Sequence, residues 1–155
     1  MSYIKYLRQY VGHNPILTAG TALLVFNEKD EVLLQLRTDY NAWGFPGGAM
    51  ELGESFLETA SRELEEETGL ILDNAKLLDV LSGKDTFRTY PNGDQLYDIT
   101  AIYEIRKYHG KLQVNDDESY RLQWFSLADF PANLAPMSKK YWEKIRSFYL
   151  EEDNS

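Results

Sequence analysis

Glu63, Glu66 and Glu67, spaced i, i+3 and i+4, are the residues of this 155-residue chain whose types and spacing most directly imply chemistry. On a helix each residue advances about 100°, so with Leu57 at zero the three fall at roughly 240°, 180° and 280°. That arc borders an apolar stripe of Leu57, Ala60 and Leu64, while Glu58 and Glu65 face away toward solvent. Carboxylates so spaced repel one another by about 0.2–0.5 kcal/mol per pair. Glu66 and Glu67 also sit near the helix C-terminus, where the macrodipole disfavours anions. Arg62, four residues from both Glu58 and Glu66, offsets part of this repulsion, and a divalent cation would offset the rest. Oxygen ligands with no His or Cys beside them favour Mg²⁺, with Mn²⁺ as a substitute, over Zn²⁺.

The loop before this helix adds a second element. Gly47-Gly48 gives a backbone that a ligand can approach closely and carbonyls that can ligate a metal. Gly48-x4-Gly53 starts like a P-loop, but Glu54-Ser55 follows where Lys-Ser/Thr is required. A carboxylate in place of the phosphate-gripping lysine points to phosphate bound through a metal. The chain has no Gly-x-Gly-x-x-Gly and no Gly-x-Ser-x-Gly, and its two histidines give a Ser-His-Asp arrangement little support.

At these residues the chain resembles the Nudix hydrolase family, MutT-like members included. The family box, Gly-x5-Glu-x7-Arg-Glu-apolar-x-Glu-Glu-x-Gly-apolar, is met by Gly48, Glu54, Arg62, Glu63, Leu64, Glu66, Glu67, Gly69 and Leu70. All nine positions are filled at the required spacing within residues 48–70. The resemblance implies an α/β fold, an α/β/α sandwich with a mixed central sheet. It also implies metal-dependent hydrolysis of a nucleoside diphosphate linked to a group X. Glu63, Glu66 and Glu67 would hold Mg²⁺, with the Gly48 carbonyl as a further ligand, and Glu54 and Arg62 would orient the carboxylates. Glu63 is the first choice of general base and Glu118, in the Asp116-Asp117-Glu118 run, the second. Nucleotide sugars, ADP-ribose, oxidised nucleoside triphosphates, dinucleoside polyphosphates and 5′-triphosphorylated RNA are all open as substrates.

Outside the box, Arg37 ends a strand just before the Gly-rich loop and can contact a phosphate. Trp43 can stack on a base or pack the loop, packing being the commoner role, and Tyr97 and Asp98 can line the pocket. His13 and His109 are isolated and read as structural or surface residues. The alternative function is a non-catalytic nucleotide-binding sensor domain, against which the intact carboxylate set argues. Isopentenyl-diphosphate isomerisation needs a cysteine, and the chain has none.

These residues need positioning elements. Residues 2–11 read as an amphipathic helix whose Tyr3, Ile4 and Tyr6 either pack in cis or form a homodimer contact. Residues 17–26 and 32–36 read as strands joined in a hairpin by Asn27-Glu28-Lys29-Asp30. Residues 55–68 form the acidic helix, with Ser55 as N-cap, Glu58 completing a capping box and Gly69 as terminator. Strands follow at 76–81, 95–105 and 121–125, with a turn at 90–94 and a closing helix at 138–150. The order predicts one mixed sheet covered by helices.

Composition bounds the rest. The length fits a single domain spanning 1–155, and 43% apolar with 14% aromatic residues suffices for a core. The net charge is −9: residues 48–70 carry seven acids and Arg62, the last five residues carry −3 and read as a frayed tail, and everything else is neutral. That balance argues against a nucleic-acid ligand, which clustered Lys and Arg would hold, and for a small-molecule nucleotide. No cysteine, no N-terminal apolar segment and no run near ~20 apolar residues lead to the expectation of a soluble, cytoplasmic protein without a membrane span.

Overall fold

A computed structural model of the chain describes residues 2–38, 41–114 and 119–150. Glu118 and the acidic tail therefore lie outside the described residues. The chain runs through α1 (Tyr3–Val11), β1 (Ile16–Val25), β2 (Glu31–Arg37), β3 (Ala42–Gly44), β4 (Gly47–Ala49) and α2 (Phe56–Thr68). It continues through β5 (Leu70–Leu81), β6 (Arg88–Thr89), β7 (Gln95–Gly110), β8 (Ser119–Ser126) and α3 (Pro136–Ile145).

The mixed sheet has the order β4-β1-β7-β5, with β6 also pairing to β7. Its centre is the parallel pair β1–β7, in register from Ile16 opposite Leu96 to Val25 opposite Ile105. Alternation splits this pair between two cores. Ala22, Leu24, Phe26 and Ile102 pack with Tyr141 and Ile145 of α3, whereas Leu23, Val25, Ala101 and Ile105 pack with Ala60 and Leu64 of α2. Helices thus cover both faces, the expected α/β/α layering. Among the described residues no helix is long and apolar enough to cross a membrane.

The hairpin is the first expectation to change. The 27–30 link closes only one rung, Phe26 to Val32, after which β1 stays in the mixed sheet while β2 joins β3 and β8 in a separate antiparallel sheet. The Asn27 Oδ1 accepts from the amides of Lys29 and Glu31, and Asp30 takes a positive φ of 58°, so the turn itself is well made. The strands part because each is buried on both faces through its centre, the mark of a strand inside packed layers rather than half of an isolated ribbon.

The second change concerns the stripe of α2. Leu57 is 49% exposed, and the buried residues are Thr59, Ala60, Leu64, Glu67 and Thr68. The inward arc is rotated so that Glu67 lies within it rather than at its border. Both ends of α2 are as expected: Ser55 and Glu58 form the capping box, and Gly69 ends the helix in the left-handed conformation at φ 80°. β5 leaves directly from that turn, six residues earlier than the periodicity indicated, because its polar Asp73 and Asn74 sit at register shifts that break the alternation. The closing helix is shorter than expected, with Pro136 in its first turn and a 3-10 turn at Arg146–Phe148 after it.

On α1, Ser2 caps the N-terminus through Lys5 N. Ile4, Leu7 and Val11 are half-buried against the body of the protein, and Tyr6 and Tyr10 are exposed and meet edge-on at 5.3 Å. The helix is pinned at both ends. Tyr3 N donates to Glu51 Oε2 at 2.9 Å, and Arg8 Nη2 donates to the Gln95 carbonyl at 2.7 Å. Ile4 lines the cavity, while Tyr6 of the same face is exposed.

Candidate active site

Arg62 organises the acidic helix. Its Nε and Nη2 donate to the two oxygens of Glu54 at 2.7 and 2.9 Å, a bidentate pair, and Nη2 also reaches the Ala49 carbonyl at 2.9 Å. Its Nη1 donates to Glu63 Oε1 at 2.8 Å and Glu66 Oε2 at 3.3 Å. One guanidinium therefore ties the end of the Gly-rich loop to two of the three glutamates. Glu54 also accepts from Glu51 N and Thr59 Oγ1, and chiefly the Arg62 contact holds its carboxyl down at about 2. The same contact raises the Arg62 pKa further. Glu58 is not an Arg62 partner: its Oε1 accepts from Ser55 N at 3.1 Å, so the capping box has taken it.

Glu67 is 2% exposed. Its Oε2 accepts from the Gly47 amide at 2.7 Å, its Oε1 accepts from Gln35 Nε2 at 3.3 Å, and Arg37 Nη1 stands 3.9 Å away. Burial, and after it the charge of Glu63, push its carboxyl well above the ordinary range. Glu63 lies against the loop on the other side: a Cβ on Gly48 would stand 2.5 Å from the Glu63 carboxyl carbon. Only glycine at 48 leaves that carboxylate its place. Gly20 does the same for the strand pair, since a Cβ there would meet the Gly48 carbonyl oxygen at 2.5 Å.

The donor chemistry suits a hard divalent cation. The acids are carboxylates without His or Cys, and Glu63 and Glu67 raise each other's electrostatic cost in a partly desolvated place. Among the described residues no three acidic side chains yet converge on one point, because Arg62 Nη1 stands between Glu63 and Glu66 as a cation of the chain's own.

These groups face a cavity of about 580 Å³, within the range that holds a nucleotide-sized ligand. Arg37, Gly47, Gly48, Glu63 and Glu66 line it, Glu67 lies beneath the loop, and Glu54 and Arg62 brace the wall. The expected Arg37 and Asp98 are both in the lining. Trp43 is not: it is 8% exposed, edge-on to Phe125 at 5.0 Å, and serves the core. Tyr97 is not either, since alternation along β7 gives Leu96 and Asp98 to the cavity and turns Tyr97 outward against Phe87 at 5.1 Å. His13 and His109 pair with Asp94 and Asp73 at the surface.

Sequence reasoning missed Arg88, Gln35 and Gly20. A lone glycine inside the apolar run of β1 was a legible sign of close backbone approach. Gln35, fully buried in a run of leucines, was a legible sign of a specific partner. Arg88 sits on a two-residue strand that no pattern announces.

Residues 17–148 match the profile of the NUDIX domain. The chain is 32% identical over 123 residues to a protein of Bacillus subtilis (strain 168) provisionally named 8-oxo-dGTP diphosphatase, covering 79% of this chain and 76% of that one. It is also 32% identical over 108 residues to the ADP-ribose pyrophosphatase of Methanocaldococcus jannaschii, covering 67% of this chain and 60% of that one. Its fold superposes on the MutT NUDIX hydrolase from Burkholderia pseudomallei with a TM-score of 0.71 at 27% identity, over 84% of this chain and 98% of that one. A profile that spans most of the chain, met by glutamates arranged as the box requires, decides the family: the chain belongs to the MutT-like Nudix hydrolases and is a pyrophosphohydrolase.

Proposed function

We propose that this protein hydrolyses the diphosphate linkage of a small nucleoside diphosphate derivative, of the nucleoside triphosphate, ADP-ribose or nucleotide-sugar class. The observation that supports it is the placing of Glu63 against Gly48, beside buried Glu67, in the wall of a nucleotide-sized cavity that Arg37 also lines. The names of the relatives, one for an oxidised nucleoside triphosphate and one for ADP-ribose, point to the same bond in two substrates.

Arg37, at the Glu67 side of the cavity, holds an oxygen of the diphosphate by its planar fork. Glu63, Glu66, Glu67 and the Gly48 carbonyl would hold Mg²⁺ or Mn²⁺. Such an ion, when bound, supplies charge neutralisation for the diphosphate and acidifies the attacking water. Glu63 accepts the proton of that water, being the cavity-lining carboxylate that Arg62 and the Gly48 backbone hold in one place. Glu54 keeps Arg62 fixed, and with its carboxyl held down at about 2 by that contact it is a weak base.

The test is a panel of nucleoside triphosphates, ADP-ribose and nucleotide sugars with Mg²⁺ or Mn²⁺, with phosphate and nucleotide products identified. Hydrolysis in ¹⁸O water then shows which phosphorus is attacked. Absence of turnover across the whole panel would overturn the proposal.

A further inference from the structure

Among the described residues six threonines are buried, and five of them place their hydroxyl on a protein acceptor. Thr18 donates to Asp98 Oδ1 at 2.7 Å, Thr59 to the Ser55 carbonyl at 3.0 Å and Thr68 to the Leu64 carbonyl at 2.5 Å. Thr86 donates to the Gly83 carbonyl at 2.7 Å, and Thr100 to Asp98 Oδ2 at 2.8 Å. Thr21 is the exception. It is 6% exposed, its Oγ1 is buried, and that oxygen has no hydrogen-bond partner among the described residues.

The position is one where valine would serve the fold. Thr21 stands on the face of β1 that continues as Leu23 and Val25, both packed with Ala60 and Leu64 of α2. Valine has the same branched shape and the same fitness for a strand, and it carries no hydroxyl into the interior. A buried hydroxyl without a bond costs free energy, so this one calls for a partner that the polypeptide does not supply.

Its surroundings say what that partner is. Thr21 is a lining residue of the cavity. It pairs with Gly48 across β1 and β4, and residues so paired in an antiparallel ladder project to the same side, their Cβ positions about 4.5–5.5 Å apart. On that side the Glu63 carboxylate fills the space a Cβ on Gly48 would take, its oxygens 2.5 and 2.7 Å from that point. The hydroxyl and the carboxylate thus share one side of the β1–β4 pair without bonding each other, at a cross-strand spacing that one water can span.

We propose that Thr21 Oγ1 and the Glu63 carboxylate together hold the water that attacks the diphosphate, which makes Thr21 a further residue of the reacting centre. This rests on the reading of Glu63 as the base. The water gives one proton to Glu63 while an electron pair of its oxygen forms the new bond to phosphorus. The bridging P–O bond breaks with its electron pair on the departing phosphate oxygen, and Thr21 keeps its own proton throughout. A hydroxyl is donor and acceptor at once and does not ionise here, so it fixes the water without competing with Glu63 for the proton.

Thr21→Val removes the hydroxyl and keeps the shape, whereas Thr21→Ser keeps the hydroxyl and removes the methyl. For both, kcat and KM are measured on GTP and ADP-ribose with Mg²⁺. High-resolution crystal structures of the wild type and Thr21→Val, grown in chelator without substrate, read the water site with no turnover needed.

The expected result is a water within hydrogen-bond distance of both Thr21 Oγ1 and Glu63 in the wild type, and none there in Thr21→Val. In Thr21→Val kcat falls by about 10- to 100-fold with KM within about twofold, and Thr21→Ser stays within about threefold of the wild type in both. An unchanged kcat in Thr21→Val, an equal loss in Thr21→Ser or a loss carried by KM would overturn the proposal. So would a wild-type structure in which the hydroxyl bonds the protein or no water touches both groups. A bridging water in a protein that turns over no substrate of the panel would leave the water site standing and remove the hydrolytic reading. If Thr21→Val melts early, Thr21→Ala, which also lacks the hydroxyl, takes its place against Thr21→Ser.

Discussion

The backbone amide of Gly47 donates to Oε2 of Glu67 at 2.7 Å, so the most deeply buried acid of α2 is also the strut under the loop that faces the cavity. Sequence spacing groups Glu67 with Glu63 and Glu66 as one kind of residue. The structure gives it two jobs, since it carries charge into a desolvated place and fixes the height of the Gly47-Gly48 backbone. Glu67→Gln keeps the shape and removes the charge. Its kcat should fall by roughly 100-fold or more. Its thermal midpoint in chelator should be no lower than that of the wild type, because a buried carboxylate beside Glu63 is gone. Full activity in Glu67→Gln, or equal activity in excess chelator, would sink the mechanism.

Gly48→Ala tests the other side of the loop. The added methyl would stand 2.5 Å from the carboxyl carbon of Glu63, which must swing away. Kinetics should show loss of kcat at least as large as any change in KM, with a circular dichroism spectrum like that of the wild type. Unchanged kcat would mean that Glu63 does not act from its place against the loop.

How far the sequence reveals this site depends on whether a residue's job is set locally. Ser55, Glu58 and Gly69 were legible because capping chemistry is local in sequence, and the placing of Glu63, Glu66 and Glu67 on one helix because their spacing alone sets it. The burial of Glu67 was not legible: Leu57 read as part of the apolar stripe and Glu67 as its border, and which arc turns inward depends on where α2 lies across β1, β4 and β5. The same limit explains β2. Its apolar run is equally consistent with a hairpin beside β1, and its pairing with β8, from Glu31 opposite Ser126 to Arg37 opposite Ser119, far away in sequence, draws it into another sheet. Arg88 and Asp98 meet through a register between β6 and β7 that no periodicity encodes.

The Glu54–Arg62 pair predicts an acid window. Glu54 titrates at about 2 in the folded protein against an ordinary 4.5, so the folded state holds fewer protons there than the unfolded chain. Its stabilisation is therefore present above about pH 4.5 and is lost as pH falls toward 2. Since solvent reaches the pair, its worth is on the order of 1–2 kcal/mol. Urea unfolding of the wild type and Glu54→Gln should differ by that amount at pH 7 and converge as pH approaches 2. A gap that stays constant across this range would show that the pair does not stabilise through charge.

Trp43 supplies a prediction that separates packing from recognition. Its indole is edge-on to Phe125 and its backbone pairs with residues 133 and 135, so it fastens β3 to the segment that leads into α3. Trp43→Ala should cost about 3–5 kcal/mol in unfolding free energy, the usual price of emptying an aromatic site. Trp43→Phe keeps most of the apolar volume and should lose far less. Because the ring does not line the cavity, KM for the preferred substrate in Trp43→Phe should match the wild type at a temperature where both are folded. A several-fold rise in KM with stability intact would return Trp43 to the substrate and show that the cavity opens toward β3 when ligand binds.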